Sequence, residues 1–254
     1  MTSSRDGRLF LHQLRAEQLV FWRSREAAVF MFLFPILLFL LLGTVYSGTE
    51  NGHPLPDYLV AGLLGYGTAN TAFGGLAILL VLRREAGVLK RIRATPLPPP
   101  MYLTAVLSST LLVFAAQAVA IVVLGTVLFD AKVPTDPVSL VLAVALGAVA
   151  FAGLGVGLAS LIRSAEGSSA VVNVIVLPMT FLSGGFGPTR DYPNVLQAVA
   201  DALPLKYLID AVRAIYLDDE TVWSQAPSLA VVAAWGVAGL LVAMRAFRWE
   251  PREA

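Results

Sequence analysis

Residues 83–100 read RREAGVLKRIRATPLPPP, six charges followed by four prolines within five positions. The chain on either side carries no charge at all, from Tyr58 to Leu82 before it and from Met101 to Phe129 after it. Each flank is longer than the roughly 20 apolar residues that carry a helix across a bilayer. The quoted stretch is therefore a polar turn between two membrane spans. The rest of the chain is read outward from it.

Four more apolar runs of spanning length or close to it follow the same rule, at 27–46, 138–162, 169–185 and 229–247. With 58–82 and 101–129 they make six spans. The fifth is the shortest and ends in SGGFGP. Runs this continuous lack the alternation of a membrane barrel, so the spans are helices whose backbone groups pair internally. The first run starts after 26 residues and is too long for the apolar core of a cleaved leader. The fold class expected is an all-α polytopic membrane protein, organised as a single transmembrane domain over 1–254.

Composition agrees. Of 254 residues, 57% are hydrophobic and 14% charged, against about 25% charged in an ordinary soluble domain. There is too little polar surface to cover a large soluble domain. A net charge of +1 gives no footprint for nucleic acid, and the absence of cysteine excludes disulfide and thiol chemistry. With only His12 and His53, a histidine metal site is not expected.

Charge placement orients the spans. With the N-terminus inside, fourteen of the eighteen Lys and Arg residues fall in cytosolic segments, including Arg5, Arg8, Arg15, Arg23 and Arg25 before the first span. The quoted stretch supplies five more, and Arg163, Arg245, Arg248 and Arg252 complete the set. Outside lie Lys132, Arg190, Lys206 and Arg213. This bias puts both termini and the quoted stretch in the cytosol.

Two segments lie between water and lipid. Over 1–26, Phe10, Leu11, Leu14, Phe21 and Trp22 recur at helical spacing, while Arg15, Glu17, Arg23 and Arg25 fall largely elsewhere. This predicts an amphipathic interfacial helix. Over 186–227, Val195, Val199 and Leu203 mark one short apolar line. Leu205, Leu208, Ile209, Val212 and Ile215 mark a second, opposite Lys206, Asp210 and Arg213. Two short re-entrant or surface helices are expected there, the second starting at Pro204. Span 6 and a cytosolic tail occupy 228–254.

No catalytic chemistry is legible. Neither a zinc-protease nor a serine-hydrolase motif occurs. The acids Asp218, Asp219 and Glu220 form a solvated run, and Asp191, Asp201 and Asp210 lack metal-loop spacing. None of Lys90, Lys132 and Lys206 sits in a phosphate-binding loop, so the chain is not expected to hydrolyse ATP by itself. The middles of the spans hold no ionisable group, which argues against a proton relay. Asn70, Gln117 and Asn173 are the neutral polar residues at depth. They either line a route or hydrogen-bond between helices. Small residues four apart (Gly67, Thr71 and Gly75, and then Gly153 and Gly157) allow close helix contact, within one chain or between chains.

In the quoted stretch, residues 84–94 can form a short helix with Val88, Leu89 and Ile92 on one side and Lys90, Arg91 and Arg93 on another. Pro96 ends it, and Pro98, Pro99 and Pro100 make a stiff connector. Such a mounted helix suits docking against another protein.

Here the residues resemble the membrane subunits of type-2 ABC transporters, the family of daunorubicin-type multidrug exporters and polysaccharide exporters. Arg84, Glu85, Gly87, Leu89, Arg91, Thr95 and Pro96 match its cytosolic signature. Val88 stands where Thr is usual, and Arg83 where many members carry an acid. Ser183, Gly184, Pro188, Pro193, Pro204, Leu205, Tyr207, Asp210 and Arg213 match its second motif, with Leu203 in place of the usual Asn.

The resemblance implies a permease of the bacterial cytoplasmic (inner) membrane that binds no cofactor itself. ATP and Mg would be held by a separate cytosolic ATPase subunit, and a second permease copy would complete a homodimer or heterodimer. It further implies a coupling helix over 84–95, a route lined by spans 1, 2 and 5, and an outer gate at the second motif. Export of a hydrophobic or amphiphilic substrate such as a drug or lipid is the function expected. A secondary transporter or channel, or a non-transporting scaffold of the same fold, is the alternative.

Overall fold

The computed structural model describes residues 3–45, 48–50, 52–190 and 192–250, with the side chains of 3–5, 27 and 30 excepted. Tyr46, at the expected end of span 1, Asp191, and Arg252 in the tail lie outside the described residues.

Eleven α-helices run in order among them. They are α1 (Ser3–Arg23), α2 (Arg25–Val45), α3 (Leu55–Gly67), α4 (Leu76–Glu85), α5 (Val88–Arg93) and α6 (Pro99–Phe129), then α7 (Pro137–Leu161), α8 (Ala165–Leu182), α9 (Asn194–Asp201), α10 (Pro204–Leu217) and α11 (Ala226–Ala246). A two-strand ribbon of β1 (Thr49–Glu50) and β2 (His53–Pro54) precedes α3. Among the described residues, five helical segments are long and apolar enough to cross a membrane: Leu55–Glu85, Pro99–Phe129, Pro137–Leu161, Ala165–Leu182 and Ala226–Ala246. Within α2, Met31–Val45 is a shorter apolar helix. The chain is an all-α polytopic membrane protein.

The span at Leu55–Glu85 is not one regular helix. Between α3 and α4, Thr68–Gly75 (TANTAFGG) is wound as a π-helix. Two close approaches account for its composition. A Cβ on Gly74 would lie 2.7 Å from Val172 Cγ1 of α8, and Gly155 of α7 packs so tightly that its own Cβ would meet the Phe73 carbonyl at 2.6 Å. The wide turn brings backbone against backbone, where side chains would hold the helices apart.

The small-residue spacing in α7 serves contact within the chain. Cβ atoms on Gly153 and Gly157 would fall 2.8 and 2.6 Å from the carbonyls of Gly236 and Gly239 in α11. Gly67 likewise faces Phe114 and Gln117 of α6, and Gly75 faces Met31 of α2.

Gln117 is a satisfied core residue. Pro35 lies inside α2 and has no N–H to give the carbonyl of Met31, four residues back. Gln117 Nε2 donates to that carbonyl at 3.0 Å, and its Oε1 accepts from Thr71 Oγ1 at 2.9 Å. In a membrane interior every freed backbone group needs such a substitute. One amide thus ties α6 to α2 and to the π segment.

The segment expected to lie across a membrane surface is divided. Val195, Leu196 and Val199 of α9 are exposed, but α10 is inserted into the bundle, with Leu205, Leu208, Ile209, Val212, Ile215 and Tyr216 all buried. It packs on α3, α7 and α11.

Candidate functional site

The residues singled out in the sequence lie at three places: the α4–α5 corner, a cavity beside it, and the loop at the far end of α8.

At the corner, the helix expected over 84–95 is two pieces. Arg84 and Glu85 end α4, the chain turns at Ala86 and Gly87, and α5 begins at Val88. Gly87 has φ +68°, a conformation that disfavours a side chain, and no atom lies within 4 Å of where its Cβ would be. The residue is needed for its backbone shape. Arg84 is 2% exposed. Its guanidinium donates to the carbonyls of Ala159 and Ile162 at 2.9 and 2.7 Å and to Glu85 Oε1 at 3.1 Å. These are end-of-helix carbonyls of α7 that have no partner in their own helix. Leu89 is buried as well. Arg84 and Leu89 therefore fix the corner to the bundle and present nothing outward.

Lys90, Arg91 and Arg93 are exposed. Arg91 also reaches back to the Ala86 carbonyl at 3.2 Å, closing the turn. Thr95 Oγ1 donates to Ile92 O at 2.7 Å and accepts from Leu97 N at 3.3 Å, which ends the segment before Pro96 can. The three prolines are not a connector. Pro98 caps α6, and Pro99 and Pro100 form its first turn, where a missing N–H is harmless.

Beside the corner lies a cavity of about 610 Å³. Its walls come from α1, α2, the π segment, α4, α6 and α8. Most of the lining is apolar, and Asn70, Thr71 and Asn173 supply neutral polar groups along it. Of the three polar residues picked from the sequence, Asn70 and Asn173 face this space and Gln117 does not. At the α5 end sit Glu17 and Arg83, 2.5 Å apart. This pair is not evident from the amphipathic pattern, which puts Glu17 on a solvated side. The available signal is Arg83 itself, which stands where the resembled family tends to carry an acid.

At the opposite end of the bundle, the turn after α8 meets α3 and α10. Gly184 adopts φ +78°, and its carbonyl accepts from the Arg213 guanidinium. Arg213 is 8% exposed and stacks 3.6 Å over the ring of Tyr58. A Cβ on Gly62 would fall 2.5 Å from the Gly185 carbonyl, so this loop rests directly on the α3 backbone. Ser183 is buried beside it. Asp210 approaches Arg213 and Lys206 at 3.8 and 3.6 Å. Pro204 opens α10, and Tyr207 Oη donates to the Asp201 carbonyl at 2.9 Å. Pro188 lies in the loop, half-buried. The second motif is thus a clamp that seats α10, with Arg213 at its centre.

Helices of spanning length, a cavity with neutral polar groups and a basic corner define the class: a polytopic membrane protein. Comparison with known proteins places it further. The family model of the ABC-2 type transporters matches residues 8–217, and the chain belongs to that family. Over 173 residues it is 24% identical to the inner membrane transport permease YhhJ of Escherichia coli strain K12, covering 66% of this chain and 46% of that protein. Over 86 residues it is 37% identical to nodulation protein J of Rhizobium meliloti strain 1021, one third of each chain. It thus spans less than half the length of these curated relatives. The chain is thus a polytopic membrane protein of that transporter family.

Proposed function

We propose that this chain is the membrane half of an ATP-driven exporter of the inner membrane, with α5 as the surface on which a separate cytosolic ATPase docks. The supporting observation is the two-sidedness of the corner. Arg84 and Leu89 hold it to α7 and the bundle core, while Lys90 and Arg93 point away with no partner of their own helix to neutralise them. A basic, rigidly backed helix transmits force in a way a loose loop cannot. In this reading the corner and both termini lie in the cytosol, and Glu85, Gly87, Arg91, Thr95 and Pro96 shape the docking segment.

The cavity is the inner part of the route, with Asn70 and Asn173 along it. Its mostly apolar wall suits a hydrophobic or amphiphilic cargo. The Arg213 clamp, with Ser183, Gly184, Pro188, Pro204, Tyr207 and Asp210, forms the outer gate. A second permease, identical or similar, completes the passage. ATP and Mg belong to the ATPase subunit, which on closing would push α5.

The test is copurification. The chain is tagged, expressed with a candidate ATPase, and compared with Lys90→Glu/Arg93→Glu. Both positions are solvated, so the variant keeps its thermal stability. The ATPase is expected to follow the wild type and to be lost from the variant. Equal recovery from both would remove α5 as the docking surface, and no recovery from either would favour a self-contained channel or a scaffold.

A further inference from the structure

The contacts of α1 assign it a role that its amphipathic pattern does not suggest. We infer that α1 is a strap closing the α5 end of the cavity, and that the Glu17–Arg83 pair is its latch.

Four observations carry this. First, α1 is itself a wall of the cavity, to which it contributes Glu17, Val20 and Phe21. Second, it is held there by polar contacts to two other helices. Glu17 and Arg83 are 7% and 13% exposed, and both carboxylate oxygens are engaged, Oε2 by Arg83 and Oε1 by Gln13 at 2.8 Å. Arg83 also donates to Tyr102 Oη at 2.7 Å. Gln18 Nε2 donates to the carbonyl and hydroxyl oxygens of Ser109 at 3.0 and 2.9 Å. Third, one irregular residue separates strap from bundle. Ser24 is the single non-helical residue between α1 and α2. Fourth, the latch adjoins the corner. Arg83 holds α1, and the next residue, Arg84, holds the last carbonyls of α7.

The chemistry favours two states over a graded response. A buried ion pair with its hydrogen bonds complete is stable, and a half-broken one leaves unpaired charge out of water. The strap is therefore either seated or fully released with both charges hydrated. Consecutive arginines gripping opposite neighbours turn a small movement of the corner into a choice between these states, the kind of bistable contact that amplifies small shifts. That α5 receives the movement from an ATPase rests on the proposed function above. That α1 closes the cavity does not.

The chain has no cysteine, which makes the test direct. Asn70→Cys places one thiol in the cavity wall. Its labelling by a membrane-impermeant maleimide is followed at residue 70 by peptide mass, in vesicles of each orientation. Glu17→Gln and Arg83→Gln are each expected to speed labelling at least tenfold from the side bearing α5. The exchange Glu17→Arg/Arg83→Glu is expected to return it to the starting rate, which simple loss of structure would not do. Cross-linking Gln18→Cys to Ser109→Cys is expected to suppress labelling even in Glu17→Gln. Equal rates in all variants, or labelling indifferent to the cross-link, would overturn the strap. Retention of the candidate ATPase is measured alongside. If no ATPase binds yet the labelling pattern holds, the strap stands and the docking reading falls.

Discussion

Arg84 shows how little a charge pattern says about which charge turns inward. Six charges in eleven residues read as a solvated basic turn, yet one of them closes the end of α7. Replacing it with Ala strands the carbonyls of Ala159 and Ile162, each worth roughly 1–3 kcal/mol when buried and unpaired. A drop in melting temperature in detergent is expected for Arg84→Ala. Arg84→Lys is expected to recover little of it, because one ammonium cannot reproduce the planar fork. Lys90→Ala, at a solvated position, should leave the midpoint unchanged. Gln117 makes the complementary point. Its polarity at membrane depth was legible, but its task was not, since that depends on the missing N–H of Pro35 in another helix. Gln117→Leu is expected to cost about 1–3 kcal/mol by the same reasoning. Full stability in that variant would refute the assigned role.

Five of the six expected spans were legible because a bilayer demands unbroken apolar length, and their helix ends fell within a few residues of the change in composition; in the first, only Met31–Val45 is an apolar helix, shorter than a full span. What the pattern hid was shape within a span. TANTAFGG has the small residues of a close contact, but no periodicity separates π from α winding. Insertion of α10 was hidden too, because a surface helix and a seated one share the same apolar face. The seam of α7 on α11 gives a prediction at this scale. Gly157→Leu must displace the Gly239 backbone, which a Cβ alone would approach to 2.6 Å. Overpacking of this kind typically costs 1–3 kcal/mol, and thermal unfolding of the purified chain should show it.

A second prediction concerns the loops that carry α10. The carboxyl of Asp219 is held below the usual carboxylate range by hydrogen bonds from the Lys132 ammonium, at 2.7 Å, and the Thr135 hydroxyl. A depressed pKa stabilises the fold above the unfolded value of about 3.9 and loses that effect as pH falls through the folded value. The stability gap between wild type and Asp219→Asn is therefore expected at neutral pH, should begin to shrink near about pH 4 and should close only below the depressed folded value. A gap unchanged at low pH would contradict the ion pair.

Across the whole molecule, a corner gripped from behind adjoins a cavity that opens beside it. Arg84 and Arg83 stand between them, so the proposed docking surface and the proposed strap share one anchor. The central claim is that an ATPase subunit sits on the outward side of α5. Photo-crosslinking residues placed singly at Arg84, Leu89, Lys90 and Arg93 test it most directly. Adducts to the ATPase are expected from Lys90 and Arg93 and not from Arg84 or Leu89, following the burial of α5. Adducts absent from Lys90 and Arg93, or formed equally from Arg84 and Leu89, would contradict it.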